Sequence, residues 1–351
     1  MPNPSGIILY DKKPGITSFS ALGKIKKTLG TKKVGHTGTL DLFAQGLLVV
    51  CVGSLTRLAG LITAFDKEYI AQIIFGQRTD TLDPTGQVVQ TAPLPTLDAL
   101  KDSLKKFTGN IMQRPPEFSA IKIGGKRASD LTRAGQAAQI PARPVTVYQA
   151  ELLDYEAAAQ DSAGANDAAS NDFGIASDCS QAQEGGRVQG LQPVFVKSAR
   201  VRFLVSKGTY IRSLARDIGA DCGSAARLQT LNRTRVGNFT LSDAVGEDTI
   251  SASSLRPMDA DAARLCGLTP ATLRPGQEEY FWNGRPLRPG LFAQPLEQGT
   301  SAVFSADGTF MGAIFQEGGR ARYEYVVPKS EAAPSSADQA SFGAGDTEAA
   351  K

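Results

Sequence analysis

Histidine is almost absent from this chain: 351 residues contain one, His36. Cysteine is sparse as well. Cys51, Cys179, Cys222 and Cys266 lie far apart with no C-x-x-C pair, so neither a zinc site nor a disulfide framework is encoded. The thiols are expected as reduced core or loop residues, and no metal site is expected. No apolar run approaches the ~20 residues that a membrane-spanning helix needs. The N-terminus, MPNPSGIILYDKKPG, has no apolar core and cleavage site of the signal-peptide kind, so the expected address is the cytoplasm. Neither G-x-G-x-x-G nor G-x-x-x-x-G-K occurs, which argues against dinucleotide and nucleoside-triphosphate chemistry.

The formal charge of +3 looks bland, but it is unevenly spread. Residues 154–192 hold seven acids and one base, and residues 329–351 hold four acids and two bases, leaving 35 bases against 24 acids elsewhere, a net of +11. Residues 1–60 alone hold eight bases and two acids. A basic body of this kind suits a phosphate-rich partner, although a lysine-rich surface also serves solubility alone.

The length suits one large domain and one small one. Gly6 to Tyr10 reads as a short strand, and Lys13-Pro14-Gly15 turns the chain before Thr17 or Ser18 caps a helix. Phe19, Leu22, Ile25 and Leu29 recur at helical spacing as its apolar stripe, with lysines on the other faces. Leu47 to Val52 reads as a buried central strand. Lys67 to Phe75 alternates as a strand with Tyr69, Ala71, Ile73 and Phe75 on one face. Leu97 to Phe107 is a helix capped by Thr96, and a second helix starts at Tyr210 with Ile211, Leu214, Ala215, Ile218 and Cys222 as its stripe. Residues 113–143 read as a basic flap with a short helical piece near Ala128 to Gly135. Residues 154–192, rich in Ala, Ser, Asp, Asn, Gln and Gly, are predicted to be a disordered insertion. From about Ala271 the turns Ala306-Asp307-Gly308 and Glu317-Gly318-Gly319 separate short strands in a small β domain, and residues 329–351 are predicted to be a disordered tail.

Asp41 follows a loop with two glycines and the only histidine, and precedes the buried strand. A carboxylate crowded in this way reads equally as a nucleophile or base and as the cap of a turn. Arg212 stands in the first turn of a helix, where it either faces solvent or orients a carboxylate. Tyr69 and Tyr210 each lie close to a lysine, Lys67 and Lys207; they suit either the core or base stacking.

The segment Lys33-Val34-Gly35-His36-Thr37-Gly38-Thr39-Leu40-Asp41, followed by Ala44, Gly46, Leu47 and Leu48, resembles the catalytic motif of the TruB family of bacterial tRNA pseudouridine-55 synthases. Similar to that family in the same order are Lys67-Glu68-Tyr69, the Thr79-Asp80-Thr81-Leu82-Asp83 loop, Pro115-Pro116 with Ser119-Ala120 and Lys122, Arg143-Pro144-Val145, and Ser206 to Asp217. The resemblance runs over about residues 5–250. It implies an α+β fold: a catalytic domain (1–270) with a central, mainly antiparallel sheet, and a small β-rich PUA-like RNA-binding domain (271–328). It also implies isomerisation of a flipped-out uridine in the T-loop of tRNA, with no cofactor or metal.

The roles implied are Asp41 as nucleophile, Arg212 as its partner, and Tyr69 stacking on the uracil and helping to move the C5 proton. His36 fills the T-loop gap, Tyr210 and Leu231 line the uridine pocket, Lys67 and Lys122 bind substrate, and the flap clamps the T-arm. No protein partner is called for, and the protein is expected to act as a monomer. An Asp-dependent phosphatase would want a second acid two residues after Asp41, where Phe43 stands. Leu42-Phe43 replaces the family's Pro-Leu and Gln45 a small hydroxyl residue, which predicts a less rigid catalytic loop; Ser129 stands for a tyrosine and Thr132 for an alanine in the flap.

Overall fold

The computed structural model describes residues 4–136, 140–159 and 193–332. In chain order the strands are β1 Gly6–Lys12, β2 Val34–His36, β3 Gln45–Val52, β4 Lys67–Phe75, β5 Gln77–Thr79, β6 Val88–Thr91, β7 Gly109–Gln113, β8 Lys122–Ile123, β9 Lys126–Arg127 and β10 Arg143–Ala157. They continue with β11 Val196–Val205, β12 Ala226–Val236, β13 Phe239–Thr240, β14 Thr269–Thr272, β15 Gly299–Phe304, β16 Phe310–Glu317 and β17 Arg320–Val326. The α-helices are α1 Ser18–Leu29, α2 Ala59–Thr63, α3 Leu97–Lys106, α4 Ala128–Arg133, α5 Ile211–Asp221, α6 Ala260–Leu265 and α7 Glu278–Trp282. None is long and apolar enough to cross a membrane.

Nine strands form one sheet in the order β1-β3-β12-β4-β11-β10-β7, with β2 paired to β3 and β13 to β12. β1 and β2 run antiparallel to β3, β7 to β10 and β13 to β12, while β12 meets β3 in parallel. A separate four-stranded sheet, β14-β15-β16-β17, follows near the C-terminus. The fold is α+β with a large mixed sheet and a second β sheet, as expected. β14 was not foreseen; it joins β15 in parallel through Thr269↔Ser301 to Thr272↔Phe304.

The described residues divide into two compact units, one drawn from 1–70, 203–209 and 230–351, the other from 71–202 and 210–229. In the first, β3 is buried from Gly46 to Val52. Successive side chains on a strand point to opposite faces, so a strand buried throughout fills two cores. Leu47, Val49 and Cys51 join one cluster with Leu55, Ile62, Val236, Phe239, Ala302 and Ala313; Leu48, Val50 and Val52 join another with Ile8, Tyr10, Leu22 and Ile25. Cys51 and Cys266 are buried free thiols, and burial pushes each up to about 12, far from reactivity. Cys179 lies outside the described residues.

Of the expected α1 stripe, Leu22 and Ile25 are buried and Leu29 packs against the same cluster, but Phe19 departs: it is 72% exposed, with the Lys26 ammonium 5.0 Å from its ring centroid, while Ser18 and Ala21 face inward in its place. Thr17 is the cap, accepting from the Ser20 N–H at 3.0 Å.

In the second unit, Thr96 caps α3 by accepting from the Ala99 N–H at 3.2 Å, and α5 buries Ile211, Leu214, Ala215 and Ile218. The flap is more ordered than a loop. β8 and β9 form a hairpin, α4 follows, and the Ala128 N–H donates to Ile121 O at 2.7 Å. β10 extends to Ala157, so extended chain enters the span predicted as an insertion; residues 160–192 lie outside the described residues. Similarly, Lys329–Glu331 forms a 3₁₀ turn in the predicted tail, and Glu331 pairs with Lys33 at 2.9 Å; residues 333–351 lie outside the described residues.

Candidate active site

Asp41 sits half-buried in the loop between β2 and β3. The loop leaves regular structure at Thr37, whose N–H and hydroxyl both donate to Val49 O, at 3.0 and 3.2 Å. Leu40 is held by Ser18, which accepts from the Leu40 N–H at 2.8 Å and donates to its carbonyl at 3.1 Å. The Gly15 N–H donates to Leu42 O at 2.8 Å, the Ala44 N–H donates to Asp41 O at 3.2 Å, and the Lys12 ammonium donates to Ala44 O at 2.7 Å. Gly38 O accepts from the Arg233 guanidinium at 3.0 Å. Five carbonyls between residues 38 and 44 are therefore bonded to partners, four of which (Arg233, Ser18, Gly15 and Lys12) lie outside the loop's own residues and β3's. The main chain on both sides of Leu42-Phe43 is thus tied by hydrogen bonds where the family's proline would act through its ring.

Three cations in the same unit have little exposure, Lys12 at 0%, Lys67 at 7% and Arg233 at 2%, and two of them, Lys12 and Arg233, bond carbonyls of this loop. Burial pushes Lys12 down to about 8, with the Asp41 carboxylate opposing that fall and Arg233 adding to it. Lys67 is also pushed to about 8, by burial first and then by Arg233. The resemblance casts Lys67 as a substrate contact. Its ammonium instead turns inward, donating to Thr63 O at 2.7 Å and Phe65 O at 2.5 Å, where it caps the C-terminal end of α2. Tyr69 shares the buried face of β4 with Lys67 and is 9% exposed. Leu231 is 5% exposed on β12, two residues before Arg233 on the same face.

His36 ends β2 opposite Val50. The Gly38 N–H donates to its Nδ1 at 3.4 Å, which leaves the imidazole proton on Nε2. Burial, and then the Arg233 charge, hold its pKa below the ordinary 6.5. A base with a depressed folded pKa is protonated first in the unfolded chain. The stability this contributes is present above about pH 6.5 and is lost as pH falls through the folded value. Because the chain has one histidine, its imidazole resonances in proton NMR form a single unambiguous titration. The midpoint is expected below 6.5; a midpoint at or above 6.5 contradicts this setting.

The other predicted residues lie in the second unit. Arg212 occupies the first turn of α5 but is 4% exposed, not solvent-facing. Its guanidinium donates to Thr81 O at 2.9 Å and Phe118 O at 3.0 Å and stands 3.9 Å from Asp83. Asp83 is fixed in turn: one carboxylate oxygen accepts from the Thr81 hydroxyl at 2.7 Å and from the Thr85 N–H and hydroxyl at 2.9 and 2.6 Å. Leu82 between them has φ +63°, the one positive φ at a non-glycine among the described residues. Tyr210 caps α5, its N–H donating to Gln113 Oε1 at 2.8 Å and its carbonyl accepting from Gln113 Nε2 at 3.1 Å. Lys122 is exposed on the flap hairpin.

Arg233, Lys12 and Asp83 were missed by the sequence reading. The signal for Arg233 was available: strand alternation from Leu231 places it on a buried face, where a charge demands partners. A cavity of about 400 Å³ lined by Ser54, Met258, Phe304, Thr309 and Val327 contains none of the predicted residues.

Comparison with known proteins bears on this geometry. A family model described as TruB family pseudouridylate synthase (N terminal domain) matches residues 26–168. The tRNA pseudouridine synthase B of Treponema denticola is 45% identical over 256 residues, 73% of this chain and 66% of that protein. Its counterpart in Treponema pallidum is 44% identical, with 69% of this chain and 62% of that protein covered, so the chain spans somewhat less than two thirds of these relatives. The tRNA pseudouridine synthase B of Mycobacterium avium is 34% identical over 333 residues, 93% of this chain and 96% of that protein. Among solved structures, a Cbf5-Nop10-Gar1 complex holds a chain that matches with a TM-score of 0.61 at 23% identity, covering 92% of this chain and 85% of that one, a likeness of fold. With a family model matched over residues 26–168 and relatives of more than 30% identity along nearly its whole length, the chain belongs to the TruB family of pseudouridylate synthases.

Proposed function

We propose that this protein converts uridine to pseudouridine in the T-loop of tRNA, at position 55, with Asp41 as nucleophile. The observation that carries the reading is the setting of Asp41: a half-buried carboxylate on a loop clamped from several sides, in the field of a buried lysine that it helps to keep charged. Family membership and the relatives' names support the substrate. The target nucleotide leaves the T-loop stack, and Asp41 attacks it at the base or at the sugar carbon. The bond from N1 of the base to the sugar breaks, the base rotates, and a bond from C5 to the same sugar carbon forms. C5 gives up a proton and N1 ends with one, so the reaction is an isomerisation with no net oxidation.

Tyr69, rigid on a strand face, stacks on the uracil and helps to move the C5 proton; Tyr210 and Leu231 line the uridine pocket. Arg212 serves as the catalytic cation, preset by Thr81, Phe118 and Asp83. A neutral His36 fills the place in the T-loop left by the flipped nucleotide, and Lys122 with the rest of the flap clamps the T-arm. Lys67, its ammonium bonded to Thr63 O and Phe65 O, contributes by holding the strand face that carries Tyr69. Residues 1–270 act as the catalytic domain and 271–328 as a PUA-like RNA-binding domain, in a monomer that works in the cytoplasm where tRNA is. The test is a map of pseudouridines in total tRNA from cells with and without this protein. Loss of the T-loop modification alone is the expected result, and an unchanged map overturns the reading.

A further inference from the structure

We propose that Arg233 is a positioning residue for this reaction, its guanidinium locking the loop that carries Asp41 to the strand that follows it. The inference rests on the pseudouridine reading and adds to it a residue with no role so far. Arg233 lies on β12, is 2% exposed, and donates from Nε to Leu47 O at 2.7 Å and from Nη2 to Gly38 O at 3.0 Å. Gly38 precedes Asp41 by three residues and Leu47 follows it by six. One rigid fork thus spans both sides of the nucleophile, and because the two N–H groups sit in one plane, the carbonyls cannot shift relative to each other without losing a bond.

The remaining anchors hold other points of the loop. Thr37 ties the residue before Gly38 to Val49 O on β3, Ser18 and Gly15 hold Leu40 and Leu42 to the start of α1, and Lys12 holds Ala44 to the end of β1; among the described residues only Arg233 binds the Gly38 carbonyl itself and joins it to Leu47 O. Its acceptors are neutral carbonyls, so a buried positive charge is kept without a carboxylate in its hydrogen bonds. An apolar side chain would fill the same volume without that desolvation penalty. Retaining the arginine is accounted for by the geometry that it imposes on the loop.

The test compares R233K and R233M with the full-length wild type in steady-state turnover on a tRNA transcript and in direct tRNA binding. R233K keeps the charge and reaches one carbonyl but not both. Its kcat is expected to fall roughly 100-fold, the size of effect produced by misplacing a reacting group by about 1 Å, with KM and tRNA affinity within about threefold of wild type. R233M is expected to lose at least as much kcat. If R233M does not fold, R233K still decides, and its cooperative thermal unfolding is checked alongside. An R233K kcat within twofold of wild type, or a loss confined to KM and affinity, overturns the inference. A wild-type protein that makes no pseudouridine overturns the functional reading itself, which separates the two failures.

Discussion

Asp41→Asn is expected to remove pseudouridine formation, with turnover down by roughly 10⁴-fold or more, as when an enzyme loses its nucleophile. The substitution is nearly isosteric, and the following anchors of the loop hold main-chain groups. Ser18 holds Leu40, Gly15 holds Leu42 O, Lys12 holds Ala44 O, and the Ala44 N–H bonds the Asp41 main-chain carbonyl. The fold of the loop therefore survives. What changes is local charge: Lys12 loses the carboxylate that opposes its desolvation, so its pKa drops further. Binding of tRNA, which draws on phosphate contacts over a wide basic surface, is expected to stay within about tenfold. Single-turnover assays with filter binding on the same preparation separate the two effects. Measurable turnover in a homogeneous D41N sample would sink the nucleophile assignment.

Much of the scaffold was legible because its elements follow one period each. β4 alternates from Lys67 to Phe75 and is buried at every odd residue of that span; β3 is apolar from Gly46 to Val52 and is buried on both faces there. α3 carried a start signal in Thr96 and α5 an apolar stripe. In α1 only Phe19 misled: a reading that weights large side chains places it inward with Leu22, Ile25 and Leu29, whereas the fold buries Ser18 and Ala21, and the Ser18 hydroxyl bonds the Asp41 loop at Leu40. β14 gave little signal because four residues that include Pro270 do not look like a strand until β15 supplies a partner.

The candidate site was legible only where chemistry sits next to unusual local sequence. Asp41 and His36 stand in a glycine-containing loop, and Tyr69 on a clean strand. The supporting residues were hidden because their partners are remote backbone carbonyls: Arg233 reaches across 186 and 195 residues, and Arg212 across 131 and 94. A sequence displays charged side chains but not the carbonyls that will satisfy them, so buried cations read as surface lysines and arginines until the fold is known. Lys67 illustrates the cost of that blindness: its place beside Tyr69 suggested a substrate contact, and its actual acceptors are the carbonyls of Thr63 and Phe65.

Gly46→Ala is expected to damage the fold severely. Gly46 lies opposite Lys12 on β1 and Arg233 on β12. Its φ is +100°, and a Cβ there would fall on the Asn232 side-chain oxygen and the Arg233 carbonyl and lie 2.9 Å from the Arg233 N. The backbone conformation alone disfavours an L-residue by about 1–2 kcal/mol. Pushing a paired strand aside adds about 1–3 kcal/mol, as for overpacking in a core. The total, about 2–5 kcal/mol, is a large part of the 5–15 kcal/mol that typically holds a domain together.

The damage is also directed. β3 and β12 meet through only two residue pairs, Asn232↔Gln45 and Arg233↔Gly46, so displacement there carries Arg233 away from Leu47 O and Gly38 O. G46A protein that does fold is therefore expected to show the kcat defect of R233K as well as a lowered urea midpoint. Gly23 supplies the control. It is exposed in α1, a Cβ there meets nothing within 4 Å, and alanine should raise stability by about 0.5–1 kcal/mol. Equal urea midpoints for G46A and wild type, beside a small gain for G23A, would mean that β3 and β12 can part at this point without loss, and the clamp on the Asp41 loop would then have to lie elsewhere.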